Sequence, residues 1–318
     1  MSLAELDVYP WQRDEWQSLV RLIGLGRLPH ALMLAGPAEI GKQNFALKLS
    51  QLLLCATPSE RSCGNCKACK LFSAATHPDF MLVEPEAEGK IIKVDQVREL
   101  AEFATRTAAM GGRRVIVVSP GEAMNQNAAN AFLKTLEEPG KDVIMVVVVH
   151  QPGRILPTIR SRCRIFPFAL PSRDLVAAWL KAGNTSSRDL DQIMSLSGGR
   201  PLRGRRLLDS GLWDQLQLFK TTLDAVTGNR LQALDAAKTL QGLAPGDALE
   251  WFQYLVYENL KIASLDGRQN MALLFRFMDR LNDVKQRLMS TANPNPQLVW
   301  EEVLMDWKSV IDLQHNRV

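Results

Sequence analysis

Long apolar runs are missing from this 318-residue chain: the longest, Val143–Val149, has seven residues, where a membrane helix needs about 20. No membrane span is expected. Neither sign of charge is in large excess, with 38 Lys plus Arg against 34 Asp plus Glu, so overall charge gives no reason to assume a nucleic-acid partner. Cysteine is scarce, five residues in all, which argues against a disulfide-built mini-domain. Repeats and low-complexity tracts are absent, and 46% hydrophobic with 23% charged residues excludes collagen-like and disordered chains. The first residues carry Glu5 and Asp7 where a secretory leader would have a basic and then an apolar segment, so the expectation is a cytoplasmic protein. Length predicts two or three domains.

What is present reads as two kinds of structure. Residues 31–35, ALMLA, form a short apolar run before Gly36-Pro37, followed by Phe45, Leu49, Leu52 and Leu53 at helical spacing. VIVV within residues 113–119 and the run Val143–Val149 read as buried strands, with a helix over residues 125–138 that stops at Pro139. A further helix is expected over residues 96–109, with Asp95 as its cap. Strands alternating with helices predict a parallel sheet covered on both faces. After Pro167 the strands cease: residues 172–208 read as short helices broken at Gly183-Asn184 and Gly198-Gly199. From about residue 212 the helices are long and amphipathic, with Leu249, Phe252, Val256 and Leu260, then Trp300, Val303, Leu304, Trp307 and Ile311, as core stripes.

Residues 36–43, GPAEIGKQ, fit G-x-x-x-x-G-K but place Gln43 where a phosphate loop has the Ser or Thr hydroxyl that binds magnesium. Glu39 adds a carboxylate where phosphates would sit. The apolar strand VIVV runs into Ser119-Pro120-Gly121, so the acidic residue that would hold the metal and orient water is missing from that strand end. Gly36, Gly41, Lys42 and Gln43 therefore read either as a plain glycine turn or as a degenerate phosphate loop that has lost hydrolysis.

Cys55, Cys63, Cys66 and Cys69 follow the spacing C-x7-C-x2-C-x2-C, while Cys163 is remote. Four thiolates suit a closed, structural zinc site; a redox pair and inert thiols are the alternatives. Arg61, Lys67 and Lys70 would offset the negative charge of a tetrathiolate, and His77 is a substitute ligand. Over residues 158–165 arginine alternates with smaller residues, so a strand there would put Arg160, Arg162 and Arg164 on one face. That face is either solvated or a source of an arginine that completes a neighbour's phosphoryl-transfer site.

The segments PHALMLAG at 29–36, the cysteine cluster, THPDF at 76–80, NAFLKTLEEP at 130–139 and SRC at 161–163 resemble the AAA+ clamp-loader subunits of bacterial DNA polymerase III. The last two are the specific ones. The resemblance covers the first 165 residues, and the remainder by helix order and length. It points to the non-hydrolysing branch of the family rather than the gamma/tau motor, which would have Ser or Thr at position 43 and an acidic pair at 119 and 120. Motor subunits also have a sensing arginine three residues after a glycine, whereas here Leu202 stands there and Arg203 one position later.

The resemblance implies an α/β plus all-α protein: an AAA+ P-loop core over residues 1–166 with an inserted zinc module at 55–69, a small helical lid at 167–211, and a C-terminal helical collar at 212–318 for oligomerisation. It implies Arg162 as an arginine finger acting in trans, structural zinc on the four cysteines, and no bound ATP. The implied partners are gamma/tau motor subunits and a delta clamp-opening subunit in a hetero-pentamer, a sliding clamp, and primer-template DNA reached through the complex. The Arg200, Arg203, Arg205 and Arg206 group is expected on a solvated or subunit-facing surface rather than on nucleic acid. Two other functions stay open: an active clamp-loader ATPase, and a zinc-dependent nucleic-acid module independent of any motor.

Overall fold

A computed structural model describes residues 7–87, 89–181, 187–209, 211–265, 271–288 and 295–315. The chain divides into two compact units, Met1–Arg203 and Gly204–Val318.

The first unit is built on five parallel strands: β1 (Ala31–Ala35), β2 (Phe80–Val83), β3 (Arg114–Val118), β4 (Val143–Val149) and β5 (Arg164–Pro167), in the order β2-β3-β4-β1-β5. Because side chains alternate across a strand, Met33, Ile116, Met145 and Val147 pack on one face, and Leu32, Leu34, Val117 and Val146 on the other. Both sets are fully buried, which is why these strands read as continuous apolar runs. Helices α1 (Arg13–Gly24) and α2 (Lys42–Leu54) supply Leu19, Phe45 and Leu49 to one face. Helices α4 (Val94–Thr105) and α5 (Gln126–Glu137) supply Val97, Leu100, Phe132 and Leu136 to the other. Between α2 and β2 lies the short α3 (Lys67–Ser73).

Two sequence expectations are corrected here. Asp95 lies inside the first turn of α4 and does not cap it; Lys93 is the capping position, its N–H donating to Gln96 Oε1 at 2.9 Å, and the helix ends at Thr105. More consequentially, the arginine-rich segment is not one strand. Residues Pro157–Arg162 form a helix, α6, and β5 begins only at Arg164. Pro157 at the first helical turn favours that start, and Ile159 and Cys163, four residues apart, are both buried in the same cluster. At about 100° per residue, Arg160 and Arg162 diverge on the helix rather than sharing a face.

Helices α7 (Arg173–Lys181) and α8 (Ser187–Leu196) follow the sheet, with α9 (Pro201–Asp209) running on from them. Gly198 and Gly199, with φ of 58° and 75°, make the break read from the sequence, while Gly183-Asn184 lies outside the described residues. The second unit contains α10 (Leu212–Thr227), α11 (Ala233–Leu240), α12 (Pro245–Leu265), α13 (Met271–Leu288) and α14 (Pro296–His315). The stripes Leu249, Phe252, Val256, Leu260 and Trp300, Val303, Leu304, Trp307, Ile311 are all buried, as their spacing predicts. Phe252 is central, edge-on to Phe219, Phe277 and Trp307 at 5.6, 5.2 and 5.3 Å. Among the described residues no helix is long and apolar enough to cross a membrane.

Candidate functional site

The glycine loop joins β1 to α2 at the carboxyl edge of the sheet, where a parallel α/β fold places its ligands. Both glycines have structural reasons to be there. A Cβ on Gly36 would lie 2.0 Å from the Phe168 carbonyl oxygen, because the chain after β5 runs directly over the loop. Gly41 has φ of 87°, and a Cβ there would meet the Tyr9 ring at 2.4 Å.

The loop's functional groups are turned inward on the protein. Lys42 is only 2% exposed, and its ammonium donates to the Gly36 carbonyl at 2.7 Å and to that of Pro37. Burial lowers its pKa to about 8, against the opposing pull of Glu122. Gln43 bridges two strand ends: its amide nitrogen donates to Glu84 Oε2 at 3.2 Å, and its oxygen accepts from Ser119 Oγ at 3.2 Å. The side chain at the magnesium-ligand position is thus committed to protein partners. Glu39, in the left-handed region at φ 59°, pairs with Arg200 at 3.7 Å, and its carbonyl accepts from Leu202 N–H at 3.1 Å. The charge expected to repel phosphate is therefore offset by Arg200, in the turn between α8 and α9.

An aromatic cluster covers the loop. Tyr9 and Trp11 stack at 4.8 Å, and Trp179 of α7 meets them edge-on at 5.7 and 5.2 Å. Trp11 Nε1 and Gln12 Nε2 both donate to the Ile40 carbonyl at 2.9 Å, fixing the N-terminal segment against the loop.

Two carboxylates beside the loop escape a reading confined to the end of β3. Glu84 immediately follows β2, and Glu122 lies in the turn after β3. Glu122 Oε1 accepts from the backbone N–H groups of His150 and Gln151 at 2.9 and 3.0 Å, and its other oxygen is buried. His150 sits at the end of β4, its pKa lowered by burial and by Lys42. An acidic residue two positions beyond Pro120 was the available signal.

The four cysteines come together as their spacing predicts, with sulfurs all within 4.8 Å of one another. A tetrahedral zinc with Zn–S near 2.3 Å needs sulfurs about 3.8 Å apart, so this group fits that ion with little adjustment. Cys63 N–H donates to Cys55 Sγ at 3.3 Å, Cys66 N–H to Cys63 Sγ at 3.3 Å, and Cys69 N–H to Cys66 Sγ at 3.4 Å. Such donors stabilise thiolates; the Cys63 pKa falls to about 6, first through a hydrogen bond with Thr57. His77 is outside the group: it is buried, with Nδ1 accepting from the Asp79 N–H at 3.1 Å. Trp16 Nε1 donates to the Glu60 carbonyl at 3.1 Å, tying the cysteine loop to α1.

Arg162, the last residue of α6, remains exposed at the surface. It donates from Nη1 to the Thr158 carbonyl at 3.1 Å and pairs through Nη2 with Glu137 Oε1 at 2.5 Å. Among the other arginines, Arg205 pairs with Asp209 at 4.0 Å and Arg206 with Asp247 at 3.5 Å. Arg203 is buried, against the expectation that the whole group lies on an open surface, whereas the side chains of Arg200, Arg205 and Arg206 are partly exposed.

A parallel sheet of this order with a glycine loop after β1 is the core of a P-loop α/β protein, here with Lys42, Gln43 and Gly41 of the loop all engaged by the protein's own groups. A family model described as DNA polymerase III, delta subunit, matches residues 11–172, and one for the C-terminal part of that subunit matches residues 257–309. The DNA polymerase III subunit delta' of Pseudomonas aeruginosa is 36% identical, covering 96% of this chain and 98% of its own length. That of Escherichia coli is 30% identical over 93% of this chain and 94% of its own. A solved structure of a DNA polymerase III gamma subunit-related protein from Thermotoga maritima aligns with a TM-score of 0.49 at 18% identity, over 94% of this chain and all of that one. The chain belongs to the DNA polymerase III delta' subunit family.

Proposed function

We propose that the chain is the non-hydrolysing stator of a clamp loader, the machine that opens a sliding clamp and places it on primed DNA. In this reading it completes an active site on a neighbouring gamma/tau motor subunit and supports the delta subunit that opens the clamp. Residues 1–166 act as core, 167–211 as lid and 212–318 as the oligomerising collar of a cytoplasmic hetero-pentamer. Zinc on Cys55, Cys63, Cys66 and Cys69 has a structural role, because four protein thiolates leave no open position for a substrate.

The observation that carries the proposal is the filled loop. Lys42 is satisfied by loop carbonyls, Gln43 is engaged by Glu84 and Ser119, and Tyr9 lies on Gly41. Each of the three aromatic contacts over the loop contributes about 1 kcal/mol beyond burial. The active-ATPase reading has in its favour Lys42 and the nearby Glu122, yet one oxygen of that carboxylate already holds two backbone amides.

Reconstitution tests the assignment. Mixed with motor and delta subunits, the chain is expected to elute in one stable complex with them, and clamp loading is expected to fail when it is omitted. A chain that stays apart from both, with loading unimpaired, would remove the proposal.

A further inference from the structure

The Arg162–Glu137 pair calls for a role other than stability. The two side chains are 38% and 48% exposed, and a pair so placed contributes less than about 1 kcal/mol to folding. What the pair does fix is direction. The guanidinium has five N–H donors, of which the Thr158 carbonyl and Glu137 take one each, leaving the others available to an incoming phosphate. An unrestrained arginine would lose about 2 kcal/mol of rotamer entropy on docking, and a pre-held one loses less.

The elements bearing the pair are themselves anchored. Asn125 caps α5 by accepting from Ala128 N–H at 2.8 Å, and Phe132 and Leu136 bury that helix in the sheet. Glu137 is its last residue, while Ile159 and Cys163 seat α6 and the start of β5 in the same cluster. The carboxylate thus reaches Arg162 from a second helix seated in the same core.

We propose that Glu137 is a positioning residue for Arg162, holding the guanidinium in the orientation in which it meets the phosphates of a neighbouring subunit's nucleotide. This inference rests on the reading of Arg162 as an arginine finger. Glu137 touches no nucleotide and acts only through the arginine.

The test is ATP turnover by the reconstituted complex, with assembly measured separately, for Arg162→Ala, Glu137→Ala, Glu137→Gln and the Arg162→Ala/Glu137→Ala double variant. Misplacing a catalytic group by about 1 Å costs up to about a hundredfold, so Glu137→Ala is expected to lower kcat about tenfold with KM unchanged. Glu137→Gln, which keeps an acceptor oxygen, is expected to recover most of it. In the Arg162→Ala background, Glu137→Ala is expected to add nothing. Loss with Arg162→Ala but normal or raised kcat with Glu137→Ala, or an additive loss in the double variant, overturns the positioning role alone. Normal turnover with Arg162→Ala removes the finger itself, and with it this inference.

Discussion

In a complex in which only the adjacent motor subunit can hydrolyse ATP, Arg162→Ala is expected to lower turnover by on the order of 10³ while assembly is unchanged. The size follows from what a guanidinium does in phosphoryl transfer. Its planar, permanent charge meets negative charge on the transferring oxygens inside a site that excludes water, where the interaction is far stronger than in solution. Intact assembly follows from the other face of the same geometry. Arg162 is an exposed residue at a helix end whose contacts are one backbone carbonyl and one exposed carboxylate. Losing them costs less than about 1 kcal/mol against a folding stability of about 5–15 kcal/mol. Arg162→Lys is expected to recover little, because an ammonium lacks the fork that meets two oxygens at once. Normal turnover in an intact complex would end the assignment.

The second large effect concerns metal. The purified chain is expected to contain about one equivalent of zinc, and Cys63→Ser/Cys66→Ser to contain none. In small zinc modules the binding free energy is about 10–16 kcal/mol and amounts to the folding free energy, so local order around residues 55–69 should collapse without the ion. The damage should stay local. The cysteine loop is anchored by Trp16 to Glu60 and by Ser62 Oγ donating to Gln51 Oε1 at 2.9 Å, whereas the strands draw their burial from clusters built on β1, β3 and β4. Hydrogen exchange should therefore quicken in the loop and in α3 while the strands remain protected. Elemental analysis without metal, together with five titratable thiols per chain, would contradict a zinc site.

The parts of this molecule legible in its sequence are those whose signal is local. Strands buried on both faces must be apolar throughout, so β1, β3 and β4 were visible as runs, and the helical stripes of α12 and α14 were visible as spacing. The cysteine group is legible because its four residues lie within fifteen positions of one another. Strand β2, four residues and largely half-buried, carries no comparable pattern. The segment before Cys163 differs from its strand expectation for a physical reason: arginine at every second position imitates a strand, while the features that decide for a helix are Pro157 at its start and the burial of Ile159. The packing of Tyr9 and Trp11 against Trp179 has no local sequence signal, because the fold brings these rings together from opposite ends of the first unit.

The central claim is that this chain lacks a working hydrolytic site and acts by completing one elsewhere. Release of inorganic phosphate from Mg-ATP by the isolated chain, freed of every motor subunit, tests it most directly. The account predicts a rate at background and indistinguishable from that of Lys42→Ala. Steady release by the unaltered chain, abolished by Lys42→Ala, would contradict it.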